Sequence, residues 1–342
     1  MSDDYLWDKT GEADPEVERL ERTLARLGQR DRPLALPETT GARLAERGRR
    51  FLGLPAPVLA AAAGILVVAG GVWLWRLEHR GPSWEVVRLE GTPRVGSSAL
   101  AATGRIAVGD WLVTDASARA RVTVGEIGQV EVEPNTRLCR VGAGKDQHRL
   151  RLTRGTLHAF ILAPPRRFVV ETPSAAAVDL GCSYTLAVDD AGGGLVTVLS
   201  GWVSFERAGR ESFIPAGARC ATRPGFGPGT PYFADASDAF KNALAALDVG
   251  TEETRRAAAL RTLLAEARPE DALTLWHLLV RLKGAARDAA YERLAVLVPP
   301  PAGVTREGVM RGDHAMIDAW WNALGFGDTS WWRLWQGAWP QP

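Results

Sequence analysis

The chain has 342 residues, enough for two or three domains, since a single hydrophobic core rarely grows beyond about 250 residues. Lys plus Arg (41) nearly balance Asp plus Glu (40), and so weak a field excludes a protein drawn to nucleic acid or an anionic surface by charge alone. The three cysteines, Cys139, Cys182 and Cys220, form neither a C-x-x-C nor a Cys–His zinc spacing, which leaves open one disulfide in an oxidising compartment or three buried free thiols.

In residues 1–30, Asp14 is a plausible N-cap, Pro15 suits the first helical position, Glu16 and Glu18 complement the positive helix end, and Gly28 closes the helix. Val17, Leu20, Leu24 and Leu27 recur at spacings of three and four and give one apolar stripe. A helix this short needs a partner surface to be stable in water. Together with Tyr5, Leu6 and Trp7 just ahead of it, the stripe fits a helix laid into a partner's groove, or one packed on its own linker or on a membrane surface. Residues 31–54 turn to Pro, Gly and Arg, as expected of a tether.

No charged residue falls between Arg50 and Arg76. The run Pro55 to Trp75 would span roughly 31 Å as a helix, against a hydrocarbon core of about 30 Å. Residues 55–76 are therefore expected to form one transmembrane helix, with Trp73 and Trp75 at the interface. The arginines before it (Arg43, Arg47, Arg49, Arg50) slightly outweigh those after it (Arg76, Arg80, Arg88), which places the N-terminus in the cytoplasm.

From Trp84 to Thr222 short alternating runs, such as Arg119–Val124, Gln129–Glu133 and Leu195–Leu199, are broken by turn residues about every ten positions, the pattern of an all-β sandwich or roll. The ordered segments Gly91-Thr-Pro-Arg-Val95, Gly104-Arg-Ile-Ala-Val-Gly-Asp-Trp-Leu-Val-Thr114, Val130-Glu-Val-Glu-Pro-Asn-Thr-Arg-Leu138, Leu152-Thr-Arg-Gly-Thr-Leu157, Phe168-Val-Val-Glu-Thr-Pro-Ser-Ala175, Val178-Asp-Leu-Gly-Cys-Ser-Tyr-Thr-Leu-Ala-Val188 and Val196-Thr-Val-Leu-Ser-Gly-Trp-Val-Ser-Phe205 resemble the FecR domain family. That resemblance implies an extracytoplasmic β module of a membrane-spanning sigma-factor regulator. The start of the chain, from Asp4-Tyr-Leu-Trp-Asp-Lys-Thr-Gly-Glu through Asp14-Pro-Glu16, is similar to the anti-sigma segment of FecR-type proteins. Where such domains often have Gly-Thr, this chain has Gly181-Cys182, and its helical end does not resemble the family's receptor-contacting module.

From Asp235 onward the pattern becomes helical. Thr251 is expected to cap Glu252–Ala267, Pro269 to open the next helix and Ala285–Val298 to form a third. A last helix over Asp313–Leu324 carries Ile317, Trp320, Trp321 and Leu324 on one face. The helix holding Leu273, Trp276, His277 and Val280 is apolar nearly all round and so central in a small bundle. Six of the 13 tryptophans fall in the last 23 residues. They fit either core wedges or a docking surface for a partner or the membrane interface.

Nothing in this order of residues indicates catalysis. The five histidines (His79, His148, His158, His277, His314) are scattered, Gly225–Gly229 reads as a linker rather than a phosphate cradle, and Asp189-Asp190 belongs to a hairpin turn. The expected fold class is multi-domain: a short cytoplasmic helix (1–30), a linker (31–54), one transmembrane helix (55–76), an all-β FecR-like domain of sandwich or roll type (84–222), and a C-terminal all-α helical bundle with a Trp-rich tail (235–342). No cofactor or metal is expected. The expected function is a single-pass inner-membrane anti-sigma regulator, its N-terminus cytoplasmic and its remaining domains periplasmic. Its expected partners are an extracytoplasmic-function sigma factor at Tyr5, Leu6, Trp7, Val17, Leu20, Leu24 and Leu27, an envelope or outer-membrane protein on the far side, and the lipid bilayer, with no direct nucleic acid. The rival expectation is a cell-envelope scaffold without sigma-factor control.

Overall fold

The computed structural model describes residue 19 and residues 83–142 and 147–327. The alternating runs fold as strands, because period-two burial gives each a dry and a wet face: Arg119–Val124 and Ser183–Val188 bury every second residue. In chain order the strands are β1 (Trp84–Glu90), β2 (Arg94–Val95), β3 (Ser98–Ala99), β4 (Thr103–Ile106), β5 (Trp111–Val113), β6 (Arg119–Val124), β7 (Gly128–Val132), β8 (Arg137–Val141), β9 (His148–Ile161), β10 (Phe168–Glu171), β11 (Ala176–Asp179), β12 (Ser183–Val188), β13 (Gly194–Ser200), β14 (Trp202–Arg207), β15 (Arg210–Pro215), β16 (Ala218–Arg223), β17 (Gly227–Pro228) and β18 (Tyr232–Phe233).

They form two sheets that share one strand. Sheet A runs β4-β1-β6-β7-β9-β12-β13-β16, with β17 and β18 on the far edge of β16. Sheet B runs β3-β2-β5-β8-β9-β10-β11-β14-β15. Among these pairings only β9 with β10 is parallel. The inner faces meet in one core that holds Val86, Val122, Val130, Leu157 and Leu186 from sheet A and Leu112, Leu138, Leu150, Val170 and Phe205 from sheet B, the arrangement of a β-sandwich.

The 14-residue β9 makes this possible. Its first half pairs with β8 and β10 in sheet B and its second half with β7 and β12 in sheet A. The switch falls at Gly155, whose φ is +91°. A Cβ there would lie 2.2 Å from Thr136 Oγ1 and 2.4 Å from Thr136 Cα, so both the dihedral and the close approach of backbone require glycine. Gly155→Ala is expected to lower the stability of the sandwich by roughly 2–5 kcal/mol. Urea unfolding measures it, and a loss below about 1 kcal/mol would show that the corner relaxes.

The helical part comprises α1 (Asp238–Val249), α2 (Glu253–Glu266), a 3-10 turn at Pro269–Asp271, α3 (Ala272–Arg281), α4 (Gly284–Leu297), α5 (Arg306–Arg311) and α6 (His314–Ala323). Ser237, Thr305 and Asp313 cap α1, α5 and α6 through their side-chain oxygens. Thr251 does not cap α2, which starts after Glu252 without a side-chain cap. Phe240, Leu244, Leu263, Leu275, Leu279, Leu294 and Trp320 form the core of this part. Trp320 and Trp321 are both buried, so these two serve as core. The other four tryptophans of the C-terminal cluster lie outside the described residues.

This architecture corrects the fold class expected from the sequence. The described residues from 83 onward belong to one compact unit, a β-sandwich with helices packed onto it rather than modules strung along a membrane helix. Among the described residues no helix is long and apolar enough to cross a membrane. The expected span at 55–76 lies outside the described residues, as do the linker 31–54 and, apart from residue 19, the segment 1–30. Gly225–Gly229, expected as a linker, instead adds β17 to the edge of β16.

Candidate interaction site

Two neighbouring residues of α6 serve different cores: Trp320 belongs to the helical core and Trp321 to the sandwich core, which also takes in Leu273 of α3. Helix α3 is apolar nearly all round because it is buried on two sides, against the sheets and against the other helices. Polar contacts across this seam come from one face of α3, where His277 and Arg281 stand four residues apart, and from Asp248 of α1, which accepts from Thr230 and pairs with Arg210.

His277 is buried between the layers. Its Nε2 accepts the backbone N–H of Phe213 on β15 at 3.1 Å, and its Nδ1 lies 2.9 Å from the carbonyl of Leu273. An Nε2 that accepts leaves the proton on Nδ1, which donates to Leu273, so the ring is neutral with both nitrogens satisfied. Burial, reinforced by the Arg281 charge, pushes its pKa down to about 3. Arg281 donates to Thr230 Oγ1 at 2.9 Å, to the Glu211 carbonyl at 2.7 Å and to Ser212 Oγ at 2.6 Å. Thr274 Oγ1 donates to the Pro231 carbonyl at 2.7 Å.

Around these bonds the aromatic rings of both layers meet edge to face: Trp321 with Trp276 at 4.7 Å, with Phe213 at 5.6 Å and with His277 at 5.9 Å between centroids. The Trp276 indole N–H donates to the carbonyl of Ile317 at 3.1 Å and ties α3 to α6.

A second polar cluster lies inside the sandwich, where the Gly181-Cys182 corner leads from sheet B to sheet A. Asp179 is buried; it accepts the Gly181 N–H at 2.7 Å, and Cys182 Sγ lies 2.6 Å from its Oδ2. Burial pushes the Asp179 pKa up to about 7, so below neutrality it is held as a neutral acid. The hydroxyl of the buried Tyr184 has no partner among the described residues. All three cysteines are free and buried. Burial raises the pKa of each, that of Cys220 to about 12, so at neutral pH they are thiols and poor nucleophiles.

The outer face of sheet A carries a lattice of ion pairs. Arg119 reaches Glu133 at 2.7 Å and Glu90 at 3.6 Å, and Arg121 reaches Glu131 at 2.7 Å. Exposed pairs of this kind contribute about 0–1 kcal/mol each and mainly set strand register. Among the described residues no three His, Cys, Asp or Glu side chains converge at metal-ligand distance.

The residues expected from the sequence to meet a partner, Tyr5, Leu6, Trp7, Val17, Leu20, Leu24 and Leu27, lie outside the described residues. Sequence reasoning passed over the His277–Arg281 pair, whose only signal was two polar side chains on one face of an otherwise apolar helix.

A two-sheet sandwich with a shared long strand, closed on one side by helices, is the class that this geometry defines. Residues 110–204 match the family model described as FecR protein. The chain therefore carries a FecR domain, and its sandwich extends beyond the matched stretch by β1 to β4 on one side and β15 to β18 on the other. No curated protein matches the chain. Among solved structures it is similar to two crystal structures, at 1.65 and 2.50 Å, of a proposed anti-sigma factor from Parabacteroides distasonis. Both are 16% identical with a TM-score of 0.32 over 40% of this chain. The chain spans 64% and 63% of the length of those two structures.

Proposed function

We propose that this protein is an anti-sigma-type regulator in which the FecR domain receives a signal outside the cytoplasm and residues 1–30 hold a sigma factor of the extracytoplasmic-function type within it. The observation that carries this reading is the FecR match over residues 110–204. The amphipathic stripe Val17, Leu20, Leu24 and Leu27 behind Tyr5, Leu6 and Trp7 supports it, since such a stripe needs a partner's groove. An envelope protein on the signal side would meet Phe160, Leu162 and Leu199, which are 47%, 73% and 64% exposed. Phe160 pairs with Ser183, whose other neighbour is Ser200, so Phe160 and Leu199 flank one strand end.

Placing Asp at both Leu20 and Leu24 sets two charges on the apolar stripe. The double variant Leu20→Asp, Leu24→Asp is expected to lose co-purification with the cognate sigma factor by at least about 100-fold, as burying unpaired carboxylates at an interface costs several kcal/mol. Undiminished co-purification refutes the assignment of residues 1–30. A cell-envelope scaffold would retain its role after deletion of residues 1–50, whereas the regulator would lose control of sigma-dependent transcription.

A further inference from the structure

Arginines on β6 and on the sheet B half of β9 are matched by glutamates of a neighbouring strand. On β6, Arg119 meets Glu133 and Arg121 meets Glu131. On β9, one glutamate serves two arginines: Glu171 of β10 takes Arg149 on Oε1 at 2.8 Å and Arg151 on Oε2 at 2.8 and 3.0 Å. A carboxylate shared between two guanidinium groups is thus the fold's own way of settling adjacent positive charges.

One row on the outer face of sheet B breaks this pattern. Arg137 of β8 and Arg154 of β9 stand directly opposite each other across the two strands, where like charges repel. On the other side of Arg137, β5 sets Val113 against it, and β2 sets Arg94 against Val113. Beyond Arg154 sheet B supplies no neighbour, since β10 ends at Glu171, the partner of Arg151. The row therefore reads Arg94, Val113, Arg137, Arg154, with no acid in it, and all three arginines are exposed. Among the described residues no carboxylate pairs with Arg94, which donates to the Ser97 carbonyl, or with Arg137. Arg154 reaches only Asp190, at 3.9 Å, whose own side chain is 90% exposed. Arg137 is nonetheless held in place: its guanidinium lies 4.3 Å from the centre of the Trp111 ring on β5, and a stacked guanidinium keeps its N–H groups at the rim, open to a ligand.

We propose that this row is a docking site for an acidic, extended segment of a partner protein, with one carboxylate seated between Arg137 and Arg154 as Glu171 is between Arg149 and Arg151, and a second at Arg94. Charge and spacing select the occupant. Opposed residues of a strand pair lie about 4.5–5.5 Å apart, so Arg137 and Arg154 can converge on one carboxylate, whose planar pair of oxygens matches the guanidinium fork. Arg94 lies two strands, or about 10 Å, farther along the row, and acidic residues two to four positions apart in an extended chain span about 7–14 Å. The surface belongs to the other sheet from Phe160 and Leu199, and its test uses neither a sigma factor nor transcription, so it stands whether or not residues 1–30 hold one.

The full chain is titrated at low salt into a fluorescently labelled peptide of alternating Glu and Ser and, in parallel, into the same peptide with Gln in place of Glu, with anisotropy as the readout. The acidic peptide is expected to bind at least about ten-fold more tightly than its neutral counterpart, and the preference to shrink as salt rises past about 0.1 M. Arg137→Gln and Arg154→Gln, both at exposed positions, are each expected to weaken the acidic peptide about five-fold or more. Arg121→Gln removes the same charge from a site already paired with Glu131 and is expected to leave the affinity within about two-fold. Equal affinities for the two peptides, an equal loss from Arg121→Gln, or binding through Arg137 to phosphatidylglycerol vesicles but not to the acidic peptide overturns the proposal.

Discussion

Truncating Trp321 to alanine is expected to cost about 3–5 kcal/mol, the range for removing a large aromatic from a packed core. The reason is its double service. It is 1% exposed and counted among the sandwich core, yet it is carried by α6 and stacks on Trp276 of α3 and Phe213 of β15. Its loss opens a void where two layers meet, so neither layer can close it alone. Trp321→Phe keeps the edge-to-face contacts and should lose less than half as much. Denaturant unfolding of the three proteins decides the matter, and an alanine variant within about 1 kcal/mol of the parent would mean that the seam is not held by this ring.

Acidification is expected to lower the stability of the folded chain from pH 6.5 downward. His277 titrates near pH 3 in the folded chain and near 6.5 when unfolded. Between those values the unfolded state binds the extra proton, so the stability contributed by the neutral ring is complete above about 6.5 and declines as pH falls toward 3. Each unit is worth about 1.36 kcal/mol, which puts the loss at roughly 2 kcal/mol by pH 5. Over that range the folded ring stays neutral and keeps the Phe213 N–H bond; only near pH 3 is Nε2 protonated, and a protonated Nε2 can no longer accept it. Asp179 works in the opposite sense: its pKa is raised to about 7, so its contribution is fully present below about 3.8 and lost as pH rises through 7. The measurement is therefore a difference. His277→Gln should be less stable at pH 7 and should lack the added loss between pH 7 and 5. If parent and variant lose stability in parallel, His277 does not carry the acid dependence.

Much of the sandwich was legible in the residues because period two cannot be hidden when one face is dry. Arg119–Val124 and Leu195–Leu199 declare their inner residues by alternation alone, and β6 and β13 bury Val122, Val124, Val196 and Val198 accordingly. The FecR motifs led to the domain for the same reason, since they are strand cores with their turns. Local pattern cannot report which strands are neighbours. Leu152-Thr-Arg-Gly-Thr-Leu157 belongs to one continuous strand that changes sheets at Gly155, which its local pattern does not announce. The close approach that demands glycine there comes from Thr136, nineteen positions earlier in the chain.

The candidate site was the least legible part. His277 looked like a histidine in an apolar helix, and nothing near it in sequence reveals Phe213 as its donor. Gly181-Cys182 stood out as a departure from the family pattern, but its consequence, a thiol against a buried acid, depends on a corner between sheets that only the fold creates. The apolar residues of α3 face two ways because the sandwich packs on one side of it and the other helices on another.

The strand common to both sheets has a mechanical corollary. From His148 to Ile161 the chain is a single covalent rod, so a shove delivered to sheet B at the β8–β10 flank travels into sheet A along bonds, not through a slippery interface of methyl groups. Sliding of one sheet over the other would have to break the β9 pairings in both, whereas Gly155 is where the rod can bend.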